Sequence, residues 1–489
     1  MKPAVNSDAY DLVIIGAGAA GLMAAAAAAE YSPKSRVLLL ERNVEPGRKL
    51  LLSGSGQCNL THAGSVNDFL PRYGDNGTIG ERARFVQPAL MAFTGGELIA
   101  WFERHGVATT ITDVGKVFPR SMRAAELRDT FLRITRTGNI TLRFGETVTA
   151  IRKPLRGDAD GNDNHGSAEF EIETSARDDA TAANTTIRYH AKKILITTGG
   201  FTYPTTGSTG DGFRFAESLG HTLVPPRPAL TPVAVRNYPE FWPDCAGISI
   251  PGAHVTMEIE PSSGTKSDTK ICEKGCAKAK MDRSGGRRRT TMFIGDLLFT
   301  HRGLSGPVIL DMSRYLNVGD RIQVSLAPVW KTGELESRWI AESAFRSEPV
   351  TRLLRRADVP RRLADIIVRR VATEHGLLTY HDDETMDLTT SQLNRELRRA
   401  LAVAVCEAKF EVAALGDRRE AMVTAGGVAR CEVRRGTMES RIVAGLFFAG
   451  EVLDIDGDTG GYNLQFAFSS ARLATHAALA PGETPVKKH

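Results

Sequence analysis

Apolar positions in the first forty residues form two runs of strand length with a segment of small residues between them. Residues 11–15 read Asp-Leu-Val-Ile-Ile, the glycine-containing segment 16–21 follows at once, and an alanine-rich stretch continues to about Tyr31. A second apolar run, 36–40, ends at Glu41. Short unbroken apolar runs are typical of strands buried on both faces, and the alanine-rich stretch is typical of a helix. The pattern therefore predicts a β-α-β unit.

The glycines between the first predicted strand and helix have the spacing of a dinucleotide-binding turn. Gly16 permits a tight turn, Gly18 lets a pyrophosphate approach the backbone, and Gly21 lets the helix pack closely on the strand. The helix N-terminus offers N–H groups and a positive dipole end to phosphates. Glu41 follows Gly21 by 20 residues, where an acid accepts hydrogen bonds from ribose hydroxyls. We predict a dinucleotide site that includes Ala20; a glycine turn that only packs is the alternative.

Two later apolar runs also end in residues suited to a cofactor. One reaches Thr198 and Gly199, and the other reaches Gly450 and Glu451. A glycine fingerprint, a Thr-Gly-Gly strand and a Gly-acid strand in this order resemble the FAD superfamily with two dinucleotide-binding domains. The resemblance implies that Glu451, at a position where Asp is more usual, holds the ribityl chain.

The rest of the chain separates into helical and β-type regions. Helical spacing of apolar residues occurs over 89–105, 123–136 and 213–219, and strand patterns occur over 140–151, 168–173, 186–190, 254–259, 291–299 and 321–326. We expect an α/β, doubly wound FAD-binding fold with inserted β-rich and helical domains. The expected boundaries are 1–203 and 406–489 for the FAD-binding domain, 204–329 for the β-rich insertion and 330–405 for the helical insertion.

Composition and charge limit the class of protein. The chain has 489 residues, of which 42% are hydrophobic and 24% charged, as in ordinary globular proteins. The net charge of +5 comes from residues 262–289, which hold nine Lys/Arg and three Asp/Glu. This weakens any argument that the whole surface is built for nucleic acid. With six cysteines, no apolar run of membrane length and no signal-peptide pattern, the expected location is the cytoplasm.

Longer motifs narrow the resemblance to one family. They are residues 47–61 (GRKLLLSGSGQCNLT), 115–119 (GKVFP), 299–307 (FTHRGLSGP), 437–440 (TMES) and 445–465 (GLFFAGEVLDIDGDTGGYNLQ). Together they resemble the bacterial HI0933-like (BaiN/RdsA-like) flavoproteins over nearly the whole chain. The resemblance implies an FAD-dependent oxidoreductase. Gln57 departs from the pattern, because Arg is frequent there in such proteins.

Several residues of these motifs are candidates for contacts with FAD. Arg48 and Lys49 are positioned to neutralise the pyrophosphate, and Ser53 and Gly54 let backbone lie against the flavin; a solvated basic turn is the alternative. The strand near Val148 often meets adenine through its backbone in the FAD superfamily.

A glycine pair opens the last predicted helix, an amphipathic stretch from 462 to about 478. Gly461, with Asn463 and Leu464 after it, aims N–H groups and a positive dipole end at one point, which favours a negatively charged reduced flavin. An ordinary helix start is the alternative. Residues 207–212 (GSTGDG) are expected beside the flavin, although a second phosphate loop is also possible by pattern.

Spacing alone identifies no general acid. Cys58 and His301 are the candidates for protonating a substrate carbon, and a structural role is the alternative for each. Cys272 and Cys276 have no second Cys/His pair at finger spacing, so no metal site is predicted.

The lead hypothesis is reduction of a carbon–carbon double bond by FAD, with NAD(P)H as the transient reductant. No second glycine fingerprint with a following acid occurs between residues 200 and 400, so a dedicated NAD(P) domain is not expected. The family implies two substrates, uridine in ribosomal RNA or a small unsaturated, steroid-like ring. The arginines of the helical region favour RNA weakly, with a solvated helical face as the alternative. A non-catalytic flavin-binding adaptor for RNA or protein is the hypothesis from another class.

Overall fold

The computed structural model describes residues 9–74, 80–153, 170–177, 184–242, 244–259, 289–343, 347–377 and 388–480. The chain forms two compact units, which we call unit 1 (Met1–Pro228 and Met422–His489) and unit 2 (Ala229–Ala421). Cys272, Cys276 and nearly all of the basic segment 262–289 lie outside the described residues. The inserted unit thus begins and ends later along the chain than the boundaries 204 and 405 expected from the sequence.

The secondary structure of the described residues is as follows. The strands are β1 (Leu12–Ile15), β2 (Val37–Glu41), β3 (Thr61–His62), β4 (Thr109–Ile111), β5 (Lys116–Pro119), β6 (Ile140–Phe144), β7 (Glu146–Arg152), β8 (Phe170–Arg177), β9 (Asn184–Ala191), β10 (Ile194–Ile196), β11 (Leu223–Ala229), β12 (Val233–Val235), β13 (Ser249–Ile259), β14 (Arg289–Phe299), β15 (Gly303–Ser305), β16 (Arg321–Ser325), β17 (Ala408–Leu415), β18 (Val423–Val428) and β19 (Leu446–Phe448). The helices are α1 (Ala19–Tyr31), α2 (Arg48–Leu52), α3 (Val66–Phe69), α4 (Glu81–Ala92), α5 (Gly95–Arg104), α6 (Ala124–Thr135), α7 (Asp211–Ser218), α8 (Tyr238–Phe241), α9 (Pro307–Ser313), α10 (Thr332–Ser343), α11 (Val350–Arg355), α12 (Arg361–Glu374), α13 (Arg395–Cys406) and α14 (Tyr462–Leu479).

A parallel sheet forms the centre of unit 1. Its strand order is β19-β10-β1-β2-β6, and every neighbouring pair is parallel. β1, β2, β10 and β19 are buried along their whole length, which is why they read as unbroken apolar runs. The α/β prediction is confirmed. Because the strands are parallel, the segments that follow β1, β2, β10 and β19 meet at one edge of the sheet.

Helices α1 and α14 pack beside this sheet as buried elements. Residues 20–29 of α1 are all buried. Much of α14 is buried as well, and two of its polar side chains are hydrogen bonded: Ser470 Oγ accepts from Gly450 N at 3.0 Å, and Gln465 Nε2 donates to Phe93 O at 2.9 Å. His476, in the last turn, is exposed, and the amphipathic character of 462–478 stays a prediction.

Two predicted elements are each divided by a local signal. The helix expected over 89–105 is interrupted at Thr94, whose side chain and that of Glu97 form a capping box that begins α5. The strand expected over 140–151 is divided between β6 and β7 at Gly145, which has φ +75°. In both places the apolar periodicity predicted the type of element correctly. The capping box at Thr94 and the left-handed Gly145 set where one element ends and the next begins.

Unit 2 contains a closed barrel with strand order β12-β15-β14-β13-β16-β17. Inward side chains such as Val255, Leu297 and Val324 belong to one buried cluster with residues of α10–α13. β17 closes the barrel by pairing with both β12 and β16. β17 falls within 406–489, the range expected for the last part of the FAD-binding domain. The strands with which it pairs, β12 and β16, lie far from it along the chain. Among the residues that the structure describes, no helix is long and apolar enough to cross a membrane.

Candidate cofactor site

A cleft in unit 1 follows the carboxyl edge of the parallel sheet. Its volume is about 650 Å³, part of it open solvent. The lining comes from the turn after β1, the end of β2, the start of α2, the start of β7 and the segments around Thr198 and Ser208. The predicted residues that line it are Gly16, Gly18, Glu41, Arg48, Lys49, Val148 and Thr198. The cleft thus brings residues of the glycine turn together with Glu41, Arg48, Lys49, Val148 and Thr198, whereas Gly450, Glu451 and Gly461 are not among its lining residues.

The glycine turn has the geometry that its spacing predicted. Gly16 has φ +101°, and a Cβ there would lie 2.9 Å from Thr197 O. A Cβ on Gly21 would lie 1.8 Å from Gly16 O, so only glycine lets α1 begin so close to β1. A Cβ on Gly18 would meet nothing within 4 Å. The space beside Gly18 is therefore open for a ligand at the N-terminus of α1.

The N-terminus of α1 leaves donors for an anion. Along α1, Leu22 is the first residue whose N–H donates to a backbone carbonyl among the described residues. Its acceptor is Gly18 O, at 2.9 Å. Gly18 is the N-cap, and no side chain caps the helix. Unpaired N–H groups and the helix dipole at such an end favour phosphate.

Glu41 is held in place at the end of β2 by backbone and amide donors. Its Oε2 accepts from Ala17 N at 2.7 Å, and its Oε1 accepts from Asn43 N at 2.9 Å and Asn43 Nδ2 at 2.7 Å. The residue is 9% exposed. Two carboxylate oxygens have about four acceptor sites in total, so Glu41 keeps capacity for a ribose hydroxyl. Asn43 was not singled out from the sequence, although its place two residues after the acid was a usable signal.

Thr198 carries a buried hydroxyl that lacks a partner in the described structure. Its Oγ1 is fully buried and unbonded, and Thr198 lines the cleft. A Cβ on Gly212 would lie 2.0 Å from this oxygen, so the glycine keeps room beside it. Buried polar atoms are normally paired, and a polar ligand atom would satisfy this one. The open face of Gly18, the donors of α1, Glu41 and the orphan Thr198 hydroxyl together fit the adenosine and pyrophosphate of FAD.

Lys49 and Glu451, predicted to contact pyrophosphate and ribityl chain respectively, form an ion pair with each other. Lys49 Nζ lies 3.0 and 2.9 Å from the two carboxylate oxygens of Glu451 and donates to Thr202 Oγ1 at 3.0 Å. Glu451 Oε1 also accepts from Thr424 N at 2.9 Å. Both side chains of the ion pair are about one-fifth exposed, 23% and 21%. The pair ties α2 to the turn after β19, and Thr202 and Thr424 are members of the site that the sequence analysis missed.

Arg48 and Arg42 are the other cations on the cleft. Arg48 Nη1 donates to Asn43 Oδ1 at 3.1 Å. Arg42 Nη1 donates to Asp211 Oδ2 at 2.7 Å and thereby joins the end of β2 to the predicted loop 207–212. That loop lines the cleft through Gly207, Ser208, Thr209 and Asp211. Arg42 was not predicted; only the position next to Glu41 could have indicated it.

The loop after α2 is built from residues in left-handed conformation. Gly54, Ser55 and Cys58 have φ values of +56°, +57° and +58°. Ser53 Oγ donates to Leu50 O at 2.6 Å. Cys58 is 0% exposed, and burial raises the pKa of its thiol to about 12. A fully buried neutral thiol is a poor source of protons for a ligand in a cleft, and the role of Cys58 as an acid stays a prediction.

One N–H group at the start of α14 is paired with a side chain of the protein. With its amide oriented to suit its neighbours, Asn59 Oδ1 accepts from Gly461 N at 3.2 Å. Asn463 Oδ1 accepts from Gly457 N at 2.8 Å, and Asn463 Nδ2 donates to Gly457 O at 2.9 Å. The polar groups of Asn463 thus hold the preceding loop, and Leu464 beside it is half-buried. Contact of these residues with FAD stays a prediction.

The remaining predicted residues have the following places. Gly450 and Ala20 face each other, since a Cβ on Gly450 would lie 3.1 Å from Ala20 Cβ; this approach brings the turn after β19 onto α1. Gly199 has φ +71°. His301 belongs to unit 2, where it is exposed in the turn between β14 and β15.

Comparison with known proteins places the chain in a family. The model of the HI0933-like protein Rossmann domain matches residues 10–477. The chain is 28% identical over 466 residues to a ribosomal RNA dihydrouridine synthase of Escherichia coli, covering 94% of this chain and 96% of that one. It is 26% identical over 471 residues to a 3-dehydro-bile acid delta(4,6)-reductase of Clostridium scindens, covering 95% of this chain and 98% of that one.

Among solved structures, a variant of E. coli quinol fumarate reductase FrdA aligns with 98% of this chain and 72% of its own at 14% identity and a TM-score of 0.46. The family is shown by the HI0933-like family model, which matches residues 10–477 and therefore nearly all of the chain. The chain therefore belongs to the HI0933-like family and is an oxidoreductase built on its Rossmann domain.

Proposed function

We propose that the chain is an FAD-dependent oxidoreductase that reduces a carbon–carbon double bond with hydride derived from NAD(P)H. The observation that carries the cofactor assignment is the cleft, where open glycine backbone, helix donors, a fixed acid and an unpaired hydroxyl converge at one sheet edge. When bound, FAD supplies a ring that accepts and returns a hydride.

The residues of the chain bind and orient the cofactor. The N–H groups at the start of α1 face the pyrophosphate, and Arg48 adds positive charge beside them. Glu41 would accept a hydrogen bond from a ribose hydroxyl. Its two oxygens keep an acceptor site for this after the hydrogen bonds from Ala17 and Asn43 are made. Lys49 holds the Glu451 carboxylate beside Thr202 and Thr424, and Glu451 is the residue that we propose for the ribityl chain.

NAD(P)H acts as a transient reductant in this proposal. The described part of unit 2 folds as a barrel with packed helices, and residues 200–400 contain no second glycine fingerprint. The nicotinamide therefore approaches the flavin without a dinucleotide-binding domain of its own.

The proposed substrate is uridine in ribosomal RNA, which is reduced to dihydrouridine. Two curated relatives with that name support it, from E. coli and from Haemophilus influenzae, each 28% identical over 94% of this chain. A small unsaturated, steroid-like ring is the second candidate, supported by the bile acid reductase at 26% identity over 95% of this chain.

The test compares the two substrates in one preparation. Purified protein is loaded with FAD, bleached anaerobically with NADH or NADPH, and mixed with ribosomal RNA lacking dihydrouridine or with a steroid 4,6-dienone. We expect RNA to restore the yellow colour and to gain two mass units at one uridine. Reoxidation by the dienone alone would transfer the assignment to the small ring.

Two controls define failure of the proposal. Ribosomal RNA from a strain that lacks the gene should lose one dihydrouridine, and an unchanged pattern would remove the RNA assignment. Protein that stays colourless with excess FAD would contradict the cofactor assignment itself.

A further inference from the structure

His62 lies beside the glycine pair that opens α14. It belongs to β3, which pairs antiparallel with β5, and its side chain is half-buried. Its ring stacks on that of Tyr462, the first residue of α14, with centroids 5.3 Å apart and planes 16° from parallel. A Cβ on Gly460 would lie 3.8 Å from His62 Cδ2. The imidazole thus borders the glycine pair whose N–H groups are predicted from the sequence to favour a reduced flavin.

The orientation of the His62 ring is set from two sides. Its Nδ1 lies 2.7 Å from Ala63 O, and since a carbonyl only accepts, Nδ1 carries a proton. A Cβ on Gly115 would lie 2.4 Å from His62 Cε1, so the absence of a side chain there makes room for the ring. Nε2 has no hydrogen-bond partner among the described residues. The nitrogen that remains for a ligand is therefore Nε2.

The charged and titratable groups near His62 come from α3, β5, α14 and the segments that contain Arg72 and Asp458. Asp68, at the first turn of α3, is the anion: hydrogen bonds from Ser65 lower its pKa, and the charge of His62 lowers it further. Lys116 is the cross-strand neighbour on β5. On α14, the Tyr462 ring stacks on the ring of His62. The Arg72 guanidinium lies over the Tyr462 ring, and Arg72 Nη1 lies 3.6 Å from Asp458 Oδ2.

His62 has the exposure that Cys58 lacks. The side chain of His62 is half-buried, whereas Cys58 is fully buried with a raised thiol pKa. A general acid needs a proton on an atom that can reach the substrate. His62 lies on Tyr462 at the start of α14, and its Nε2 has no hydrogen-bond partner among the described residues.

We propose that His62 is the general acid that protonates the substrate carbon during reduction of the double bond, an inference that rests on the proposed function. Bound FAD, once reduced, would supply the hydride for one carbon of the double bond. The π electrons of the double bond form the new C–H bond at the other carbon with the proton from Nε2. His62 is left as neutral imidazole that keeps its Nδ1 proton on Ala63 O, and solvent restores the Nε2 proton before the next turnover.

The test separates the two half-reactions in His62→Gln. Bleaching of the bound flavin by NAD(P)H should keep the wild-type rate, because it needs no proton on the substrate. Reoxidation by the unsaturated substrate should slow about 10²–10⁴-fold, the usual contribution of a general acid. His476→Gln is the matched control, since His476 is an exposed histidine in the last turn of α14; both half-reactions should match wild type.

Three further readouts distinguish catalysis from a structural role. The pH profile of wild-type reoxidation should contain a limb that is absent from His62→Gln. In the apoprotein, the imidazole ¹⁵N signals that disappear in His62→Gln should show the Nδ1–H tautomer in the neutral form. Added imidazole should restore part of the reoxidation rate of His62→Ala.

Each outcome decides the matter. A wild-type protein that never transfers electrons to an unsaturated substrate defeats the proposed function. A wild type that does so, with His62→Gln equally fast, defeats the role of His62 alone. Equal slowing of both half-reactions, or loss of FAD binding in His62→Gln, would assign His62 to structure and overturn the proposal.

Discussion

Glu41 and Glu451 each follow a strand of the same parallel sheet, but different kinds of partner hold their carboxylates. Glu41 is fixed by the backbone N–H groups of Ala17 and Asn43 and by the Asn43 amide. Glu451 is fixed by the Lys49 ammonium and by Thr202 and Thr424. Backbone donors move only with the fold, whereas a lysine side chain can exchange partners when a ligand anion arrives. We therefore expect the region around Glu41 to be preformed and the region around Glu451 to adjust.

The largest expected effect tests whether the region around Glu41 is preformed. In Gly21→Ala the new methyl meets Gly16 O, so the free energy of unfolding should fall by about 3 kcal/mol. Gly18→Ala places its methyl in open space, so its free energy of unfolding should stay within about 0.5 kcal/mol of wild type. Its FAD affinity should nevertheless fall about tenfold or more, because the methyl takes the volume of the pyrophosphate. Denaturant titration and flavin fluorescence measure the two quantities; full FAD affinity in Gly18→Ala would contradict the assignment.

The second prediction tests the adjustable region. Lys49→Met leaves the Glu451 carboxylate without its cation, and the apoprotein should lose about 2 kcal/mol of unfolding free energy. Adding Glu451→Gln should restore about half of that loss. A double-mutant cycle then measures the coupling free energy between Lys49 and Glu451. With FAD bound, the coupling should shrink if Lys49 turns toward the pyrophosphate. Unchanged coupling would show that Lys49 stays with Glu451 in the loaded protein.

A smaller effect of opposite sign concerns two neighbouring threonines. Thr198→Val removes a buried hydroxyl without a partner, so the apoprotein should gain about 1 kcal/mol of unfolding free energy while FAD binds more weakly. Thr197 Oγ1 donates to the backbone carbonyls of β1 and its turn at 2.9 and 2.8 Å, so Thr197→Val should lose about 1 kcal/mol. Two losses of equal size would mean that Thr198 is satisfied without a ligand.

The smallest effect is expected at Arg48. Among the described residues its guanidinium donates to Asn43 Oδ1 alone, at 3.1 Å in an exposed setting, so Arg48→Met should change the free energy of unfolding by less than about 0.5 kcal/mol. FAD affinity should fall a few-fold, and its dependence on salt should weaken, because one cation near the pyrophosphate is lost. Binding titrations at low and high ionic strength provide the check; an unchanged salt dependence would place Arg48 away from the phosphates.

Local sequence was sufficient for the region around Glu41. The roles of Gly16 and Gly21 depend on sterics within a few residues, and the distance from Gly21 to Glu41 is set by one helix and one strand. The same reasoning could not reach the ion pair of Lys49 and Glu451, which joins residues 402 positions apart. Nor could it show that Asn59 accepts a hydrogen bond from Gly461 N, that the Cys58 side chain is fully buried or that the His62 ring stacks on that of Tyr462.

The amino-acid sequence by itself determined the β-α-β unit, the α/β class, the place of the dinucleotide turn and the family, because periodicity, glycine spacing and long motifs act over short distances along the chain. The tertiary structure decided which charged groups pair, which thiol is buried, where the last strand of the barrel closes and which imidazole nitrogen stays open. Those outcomes depend on segments that meet only after folding, and hydrogen bonding and desolvation act on neighbours in space rather than on neighbours in sequence.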